Sequence, residues 1–273
     1  MARERILVTV KTYPTLSRKY GETVCTAGVR EDGTWVRVYP VPFRRLDEKQ
    51  QYRKFDWIEC ELVKRNRDPR PESFRPVDVN QIRVVGHMGT KHNWAERRKF
   101  LLGKIPVQTR LQVLIDGAKS NKFSLAIFKP TEILAFEWEE DEREWDAAKL
   151  DALRNRTKQF ELLPEEAWQQ VFNVIPKLPY SFSYRFTDAD GRESKMEVLD
   201  WETGALYWNC LRRCGGNESQ ALEKVRAKYW DEFRRKDLHF FVGTTLQYHS
   251  YAPNPWTIVG VFPIPHEQQM ELL

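Results

Sequence analysis

The chain has 273 residues, 41% hydrophobic and 30% charged, the balance of an ordinary folded protein rather than a disordered or fibrous one. No apolar run approaches the ~18 residues of a membrane helix, so no membrane span is expected. The formal net charge of +5 conceals a polarity, because residues 1–130 hold 27 basic against 14 acidic side chains while residues 131–273 hold 17 against 25.

In chain order, Arg5–Val10 alternates as a strand and runs through a polar connection into a second strand, Glu22–Arg30. Glu31-Asp32-Gly33 predicts a tight turn into Thr34–Tyr39, which Pro40 and Pro42 should end. Trp57–Arg65 alternates again, Asn66–Pro76 reads as an extended or mobile loop, and Gln81–His87 returns as a strand. Asn93–Leu102 predicts a helix capped by Asn93 with Glu96 at the third position, and Thr109–Ala118 a second one. A long strand region covers Lys122–Pro130 and Glu132–Trp138, followed by a helix over Glu142–Arg154 with an acidic first turn. Pro164–Pro179 predicts a short helix and a loop.

Tyr180–Phe186 and Glu193–Leu199 flank Asp188–Arg192, a hairpin signal. Asp200 caps a helix that Gly215-Gly216 stops, and Asn217 caps the next. Two apolar strands, Leu238–Thr244 and Trp256–Phe262, close the chain. The sum is a mainly β, α+β protein. The strand count predicts two small β-barrels with a helical hairpin at about 200–236, a basic unit over 1–125 and an acidic one over 126–273.

The basic half interleaves cations with aromatic rings. Tyr13, Arg18 and Lys19 follow the first strand, then come Trp35, Arg37, Tyr39, Phe43, Arg44 and Arg45. Arg97 and Arg98 add charge on the first helix. On a strand, Trp35, Arg37 and Tyr39 share one face. Exposed, that face would stack single-stranded bases and hold their phosphates. Covered, it would be core with Arg37 paired or snorkelling.

Other chemistry has weaker signals. No GxxxxGK[ST], GxGxxG or GxSxG occurs, which removes the usual support for P-loop, Rossmann and α/β-hydrolase readings. Cys210 and Cys214 lie one helical turn apart with no second ligand pair, so buried thiols are expected and neither zinc nor another cofactor. Four scattered cysteines and an N-terminus without a signal-peptide core point to a reducing cytoplasm. Asp188, Asp190, Glu193 and Glu197 with Lys195 are the nearest approach to a metal-dependent nuclease. The pair His87 and His92 is the other enzymatic candidate.

Val24-Cys25-Thr26-Ala27-Gly28 followed by Gly33-Thr34-Trp35-Val36-Arg37 and Pro40 resembles the "cxaG…GxWiRpv" hairpin of dual-OB-domain proteins from bacteria. Lys122–Pro130 and Leu238–Pro263 are similar to later parts of the same family. The resemblance implies two OB-like barrels and a nucleic-acid-binding role, and it supplies no active site. The leading expectation is a cytoplasmic protein that binds single-stranded DNA or RNA through its basic half without catalysis. Its acidic half is left for structure or a protein partner. The alternatives are a nucleic-acid-processing enzyme and a protein-interaction subunit.

Overall fold

The computed structural model describes residues 3–17, 20–158 and 174–266. It is a mixed α+β fold, mostly strands, with helices at its ends and edges. The first lobe is one large antiparallel-rich sheet. Its strands are β1 (Glu4–Lys11), β2 (Thr15–Ser17), β3 (Gly21–Arg30), β4 (Trp35–Val41), β5 (Asp56–Cys60), β6 (Leu62–Lys64), β7 (Ser73–Pro76) and β8 (Arg83–His87). They lie in the order β6-β7-β4-β3-β1-β5-β8, with β2 on β3, and irregularities in β1, β3 and β5 curl the sheet into a half-barrel. The β3–β4 hairpin forms where Asp-Gly predicts it. Gly33 takes φ 92° and the Asp32 carboxylate accepts the Thr34 N–H at 2.9 Å.

Helix α1 (Lys91–Lys104) leads to β9 (Val107–Gln108), α2 (Leu111–Lys119) and β10 (Leu125–Phe128). The second lobe adds β11 (Glu132–Glu140), α3 (Ala147–Lys158), β12 (Tyr180–Thr187) and β13 (Glu193–Glu197). The helical hairpin of α4 (Trp201–Arg213) and α5 (Glu218–Arg226) follows, then β14 (Asp237–Thr244) and β15 (Trp256–Ile264). Strands β15-β14-β10-β9 make one sheet and β11-β12-β13 another. The predicted caps of the hairpin are present. The Asp200 side chain accepts from Glu202 N and the Asn217 side chain from Gln220 N. Cys210 is buried in the second-lobe core and Cys214 is half-buried.

The two lobes share a core. Leu7, Val10, Ala27 and Val29 of the first sheet pack with Leu125, Ile127, Phe241, Val259 and Phe262 of the second. The opposite face of the first sheet buries Ile6, Val8, Val36 and Val38 in its own core. Strand β4 therefore alternates as expected, but the second lobe covers the face of Trp35 and Arg37. Gly28 of the hairpin motif sits where a Cβ would meet the Leu7 carbonyl oxygen at 2.3 Å, so the close approach of β1 requires glycine there.

Several expectations are corrected. Pro40 does not end β4, which runs to Val41, because the β3–β4 register shifts between Val24 and Thr26 and so asks no ladder hydrogen bond of Pro40. Trp57–Arg65 is two strands, and the intervening Glu61 marks where the chain changes neighbours, from β1 and β8 to β7. Asn66–Pro76 is no mobile loop. It carries β7, and its Asp68, Arg70, Glu72 and Ser73 are buried. Burial pushes the Asp68 carboxyl up, yet the Arg70 guanidinium, donating at 2.7 and 2.8 Å, holds it well below the usual range. Asn93 is not a cap but takes φ 53° inside α1, whose N-cap position is Thr90. The acidic helix begins at Ala147 rather than Glu142, and most of the helix expected over Pro164–Pro179 lies outside the described residues.

The lobe interface is closed by a polar network that also sets a pH response. His249 is buried, accepting from Thr244 Oγ1 and donating to Asn121 Oδ1, both at 2.9 Å. Burial and then the Arg70 and Arg37 charges lower its pKa. Burial also lowers that of His239. Both therefore resist protonation in the fold while the unfolded chain takes up protons near 6.5. Stability should be intact above that value and fall below it, by about 1–2 kcal/mol between roughly pH 7.5 and 5.5. Denaturant titrations at the two pH values check this, and equal midpoints would contradict it.

Candidate nucleic-acid interface

A cleft of about 670 Å³ opens between the lobes. From the first lobe it takes Lys11 at the end of β1, the turn Arg53–Phe55, His87 at the end of β8, and Trp94 and Arg97 of α1. From the second come Asp200, Trp201 and Glu202 at the start of α4, then Lys228, Tyr229, Phe233 and Lys236 after α5. Six cationic side chains thus line it against two carboxylates, Asp200 and Glu202. Cations and rings are layered. The Lys11 ammonium lies 4.0 Å over Phe43 and 4.5 Å over Trp201, and the Arg97 guanidinium 3.8 Å over Phe55 and 4.8 Å over Trp94.

Burial holds Lys11 down at about 8, against the pull of Glu202, Asp200 and Asp56. Burial likewise lowers Arg97 to about 10, which leaves it cationic at neutral pH. Lys54 is buried and behaves differently. Burial alone would lower its pKa, but Asp200 at 2.9 Å and Glu202 at 3.4 Å raise it. It is a structural cation, bonded also to the Val261 carbonyl at 2.9 Å.

Beside Arg97 stands an ordered pair. His87 Nδ1 lies 2.6 Å from the buried Asp56 carboxylate, and His87 Nε2 lies 3.4 Å from Arg97 Nη2. A guanidinium only donates, so the neutral ring carries its proton on Nδ1, toward Asp56, and a lone pair on Nε2. Asp56 is itself held by the Arg53 N–H at 2.7 Å. The backbone around the cleft is unusual as well. Among the described residues five non-glycines have positive φ, and four of them are here: Phe55 at 68°, His92 at 50°, Asn93 at 53° and Trp94 at 63°. Phe55 holds that conformation through its N–H to the Val8 carbonyl and its carbonyl to the Met88 N–H. Strain of this kind persists only where surrounding bonds enforce it.

Of the residues singled out in the sequence for nucleic-acid binding, only Arg97 lines the cleft, with Phe43 under Lys11, and of the enzymatic candidates His87 lines it. Arg37 is 3% exposed and donates to Ser124 Oγ at 2.7 Å and to the Ser124 and Thr244 carbonyls. Trp35 meets Phe241 edge-on at 6.1 Å, and Tyr39 is half-buried against Tyr20 and Arg65. The exposed stacking face expected of these three is therefore corrected, since Phe241 of β14 and Ser124 cover Trp35 and Arg37. Tyr13 is buried, accepting from Trp208 and donating to the Pro176 carbonyl, both at 2.8 Å. Arg44 pairs with Glu22 at 2.8 Å, Arg45 is exposed in the same turn, and Arg98 donates to the Pro265 carbonyl at 2.6 Å. Arg18 and Lys19 lie outside the described residues.

The carboxylates of the 188–197 hairpin do not converge. Asp188 accepts three backbone N–H bonds, from Leu111, Asp190 and Arg192, and Lys195 pairs across strands with Glu139. Among the described residues no three His, Cys, Asp or Glu side chains are grouped to hold a metal. Lys11, Lys228 and Lys236 escaped sequence reading. The first ends a strand of buried residues, and the other two are masked by the acidic balance of their half.

Residues 107–273 match the family model described as Domain of unknown function (DUF8757), and residues 2–103 match another, Domain of unknown function (DUF8758). The first match spans more than half of the chain, and the chain belongs to that family. No curated protein matches it. A solved structure of a murine DNA binding protein bound with ds DNA aligns over 96% of this chain and 94% of its own, at 11% identity and a TM-score of 0.29, a likeness that carries no argument. Among the described residues no helix is long and apolar enough to cross a membrane.

Proposed function

We propose that this family member binds nucleic acid and that the inter-lobe cleft takes a nucleotide of a single strand. The layering of cations on rings carries the reading: Lys11 on Phe43 and Trp201, and Arg97 on Phe55 and Trp94. A nucleotide needs a cation for its phosphate and an apolar, aromatic wall for its base, and both are within one cavity of ligand size. A duplex keeps its bases stacked and paired, so only a single strand or an extruded base can use such a cleft. The resemblance of the β3–β4 hairpin to bacterial dual-OB-domain proteins points the same way, and a cytoplasmic location accompanies that reading.

Fluorescence titration of labelled single strands and the matching duplex tests it. The single strand should bind more tightly. With three or four phosphate contacts its affinity should fall about 10- to 100-fold between ~50 and ~200 mM salt, at a slope of roughly −0.7 per contact. Salt-independent binding, or preference for the duplex, would contradict the proposal.

A further inference from the structure

Asp56 and His87 face each other across β5 and β8, and His87 lines the cleft, where its Nε2 meets Arg97 at 3.4 Å. We propose that the cleft cleaves RNA by transesterification, with His87 taking a proton from a ribose 2′-hydroxyl and Lys11 returning one to the departing 5′-oxygen. This rests on the nucleotide-binding reading and adds an activity to it.

Three observations carry the step. His87 has the tautomer a general base needs, with the lone pair on Nε2 and Nδ1–H held by a buried carboxylate at 2.6 Å. Arg97 touches that same nitrogen at 3.4 Å, a long contact that an incoming phosphate can draw away. Lys11 lines the same cleft, and Asp56 is among the charges that act on it. Its burial brings it to about 8, where an ammonium can give up a proton near neutral pH.

In the step, the 2′-oxygen forms a bond to the adjacent phosphorus as its proton passes to His87 Nε2. The bond from phosphorus to the 5′-oxygen breaks, and that oxygen takes a proton from Lys11 Nζ. Arg97 offsets the charge that builds on the non-bridging oxygens. The products are a 2′,3′-cyclic phosphate and a 5′-hydroxyl, and proton exchange with water restores both side chains. The nucleophile belongs to the substrate and is already beside the phosphorus, so the site need not capture and aim a separate one. DNA lacks it and should be bound but left whole.

The experiment uses the full chain, an end-labelled single-stranded RNA in EDTA, the same sequence as DNA, and the RNA with one 2′-deoxy position. Cleavage is expected only beside ribose, with cyclic phosphate ends and none at the 2′-deoxy position. His87→Gln, which can still donate to Asp56, should slow cleavage of saturating RNA ~10²- to 10⁴-fold. The wild-type pH–rate profile is the second readout and needs no variant. It should fall above about pH 8 as Lys11 loses its proton. RNA bound but intact, His87→Gln as fast as wild type, or a profile flat across pH 8 would overturn the activity and leave the binding reading standing. Failure to bind RNA or DNA at low salt would overturn both.

Discussion

Arg37→Ala is expected to cost about 3–5 kcal/mol of folding stability, the range for breaking one side of a buried charge network. The guanidinium is 3% exposed and makes three hydrogen bonds to the opposite lobe, to Ser124 Oγ, the Ser124 carbonyl and the Thr244 carbonyl. Ser124 is also held by the Glu72 carboxylate at 2.6 and 2.9 Å, and Arg70 donates to Thr244 O. Removing Arg37 takes one cation from beside the buried Glu72 and strips a donor from Ser124 Oγ and from the two carbonyls, which keep only the Thr244 N–H and Arg70 respectively. Burial, then the neighbouring Arg70 charge, already lowers Arg37 to about 10, so the network holds this cation at a cost. Arg44→Ala is the control. Its pair with Glu22 at 2.8 Å is partly exposed, and its loss should cost no more than about 1 kcal/mol. Chemical denaturation of the three proteins decides the matter. An Arg37→Ala protein of wild-type stability that binds single strands poorly would restore the exposed-platform reading.

Asp200→Ala should be comparably damaging, again about 3–5 kcal/mol, for a different reason. Its carboxylate accepts from Lys54 Nζ at 2.9 Å, the Val261 N–H at 3.0 Å and the Glu202 N–H at 3.2 Å. It therefore pairs a buried cation, ties α4 to β15 and caps α4 at once. Alanine leaves the Lys54 ammonium inside the protein with Glu202, at 3.4 Å, as its nearest carboxylate. Asp200→Asn keeps an acceptor for the N–H groups and loses the charge, so it should fall between alanine and wild type. Thermal and denaturant unfolding of the pair check this order. Equal stability of the asparagine and alanine proteins would show that only the ion pair matters.

Local chemistry was well written in the sequence. The alternation of β4, the Asp-Gly turn before it and the Asp200 and Asn217 caps depend on neighbours within a few residues, and each is present. What could not be read is which surface meets which. Trp35 and Arg37 do share a face, and an aromatic–cation face looks the same whether nucleic acid or a second lobe covers it. Only the distant Ser124, Thr244 and Phe241 decide between them. The same limit hid the order in residues 66–76, where Asp68 and Arg70 satisfy each other out of solvent. It also hid the cleft, whose Lys11, His87, Trp201 and Lys228 come from four separated segments. The left-handed run at His92–Trp94 defeated the capping pattern, since Asn93 reads as a cap and serves instead in a bend.

In the proposed function the inter-lobe cleft, and not the face of β4, receives the single strand. Charge reversal at Arg53, 77% exposed, together with Lys228, 45% exposed, changes the cleft without touching either buried network. Titrating a labelled single strand against Arg53→Glu/Lys228→Glu and wild type at low salt is the direct measurement. Affinity should fall at least tenfold, with a flatter salt dependence and a melting temperature within a few degrees of wild type. Unchanged affinity and an unchanged salt slope in a folded double variant would contradict it.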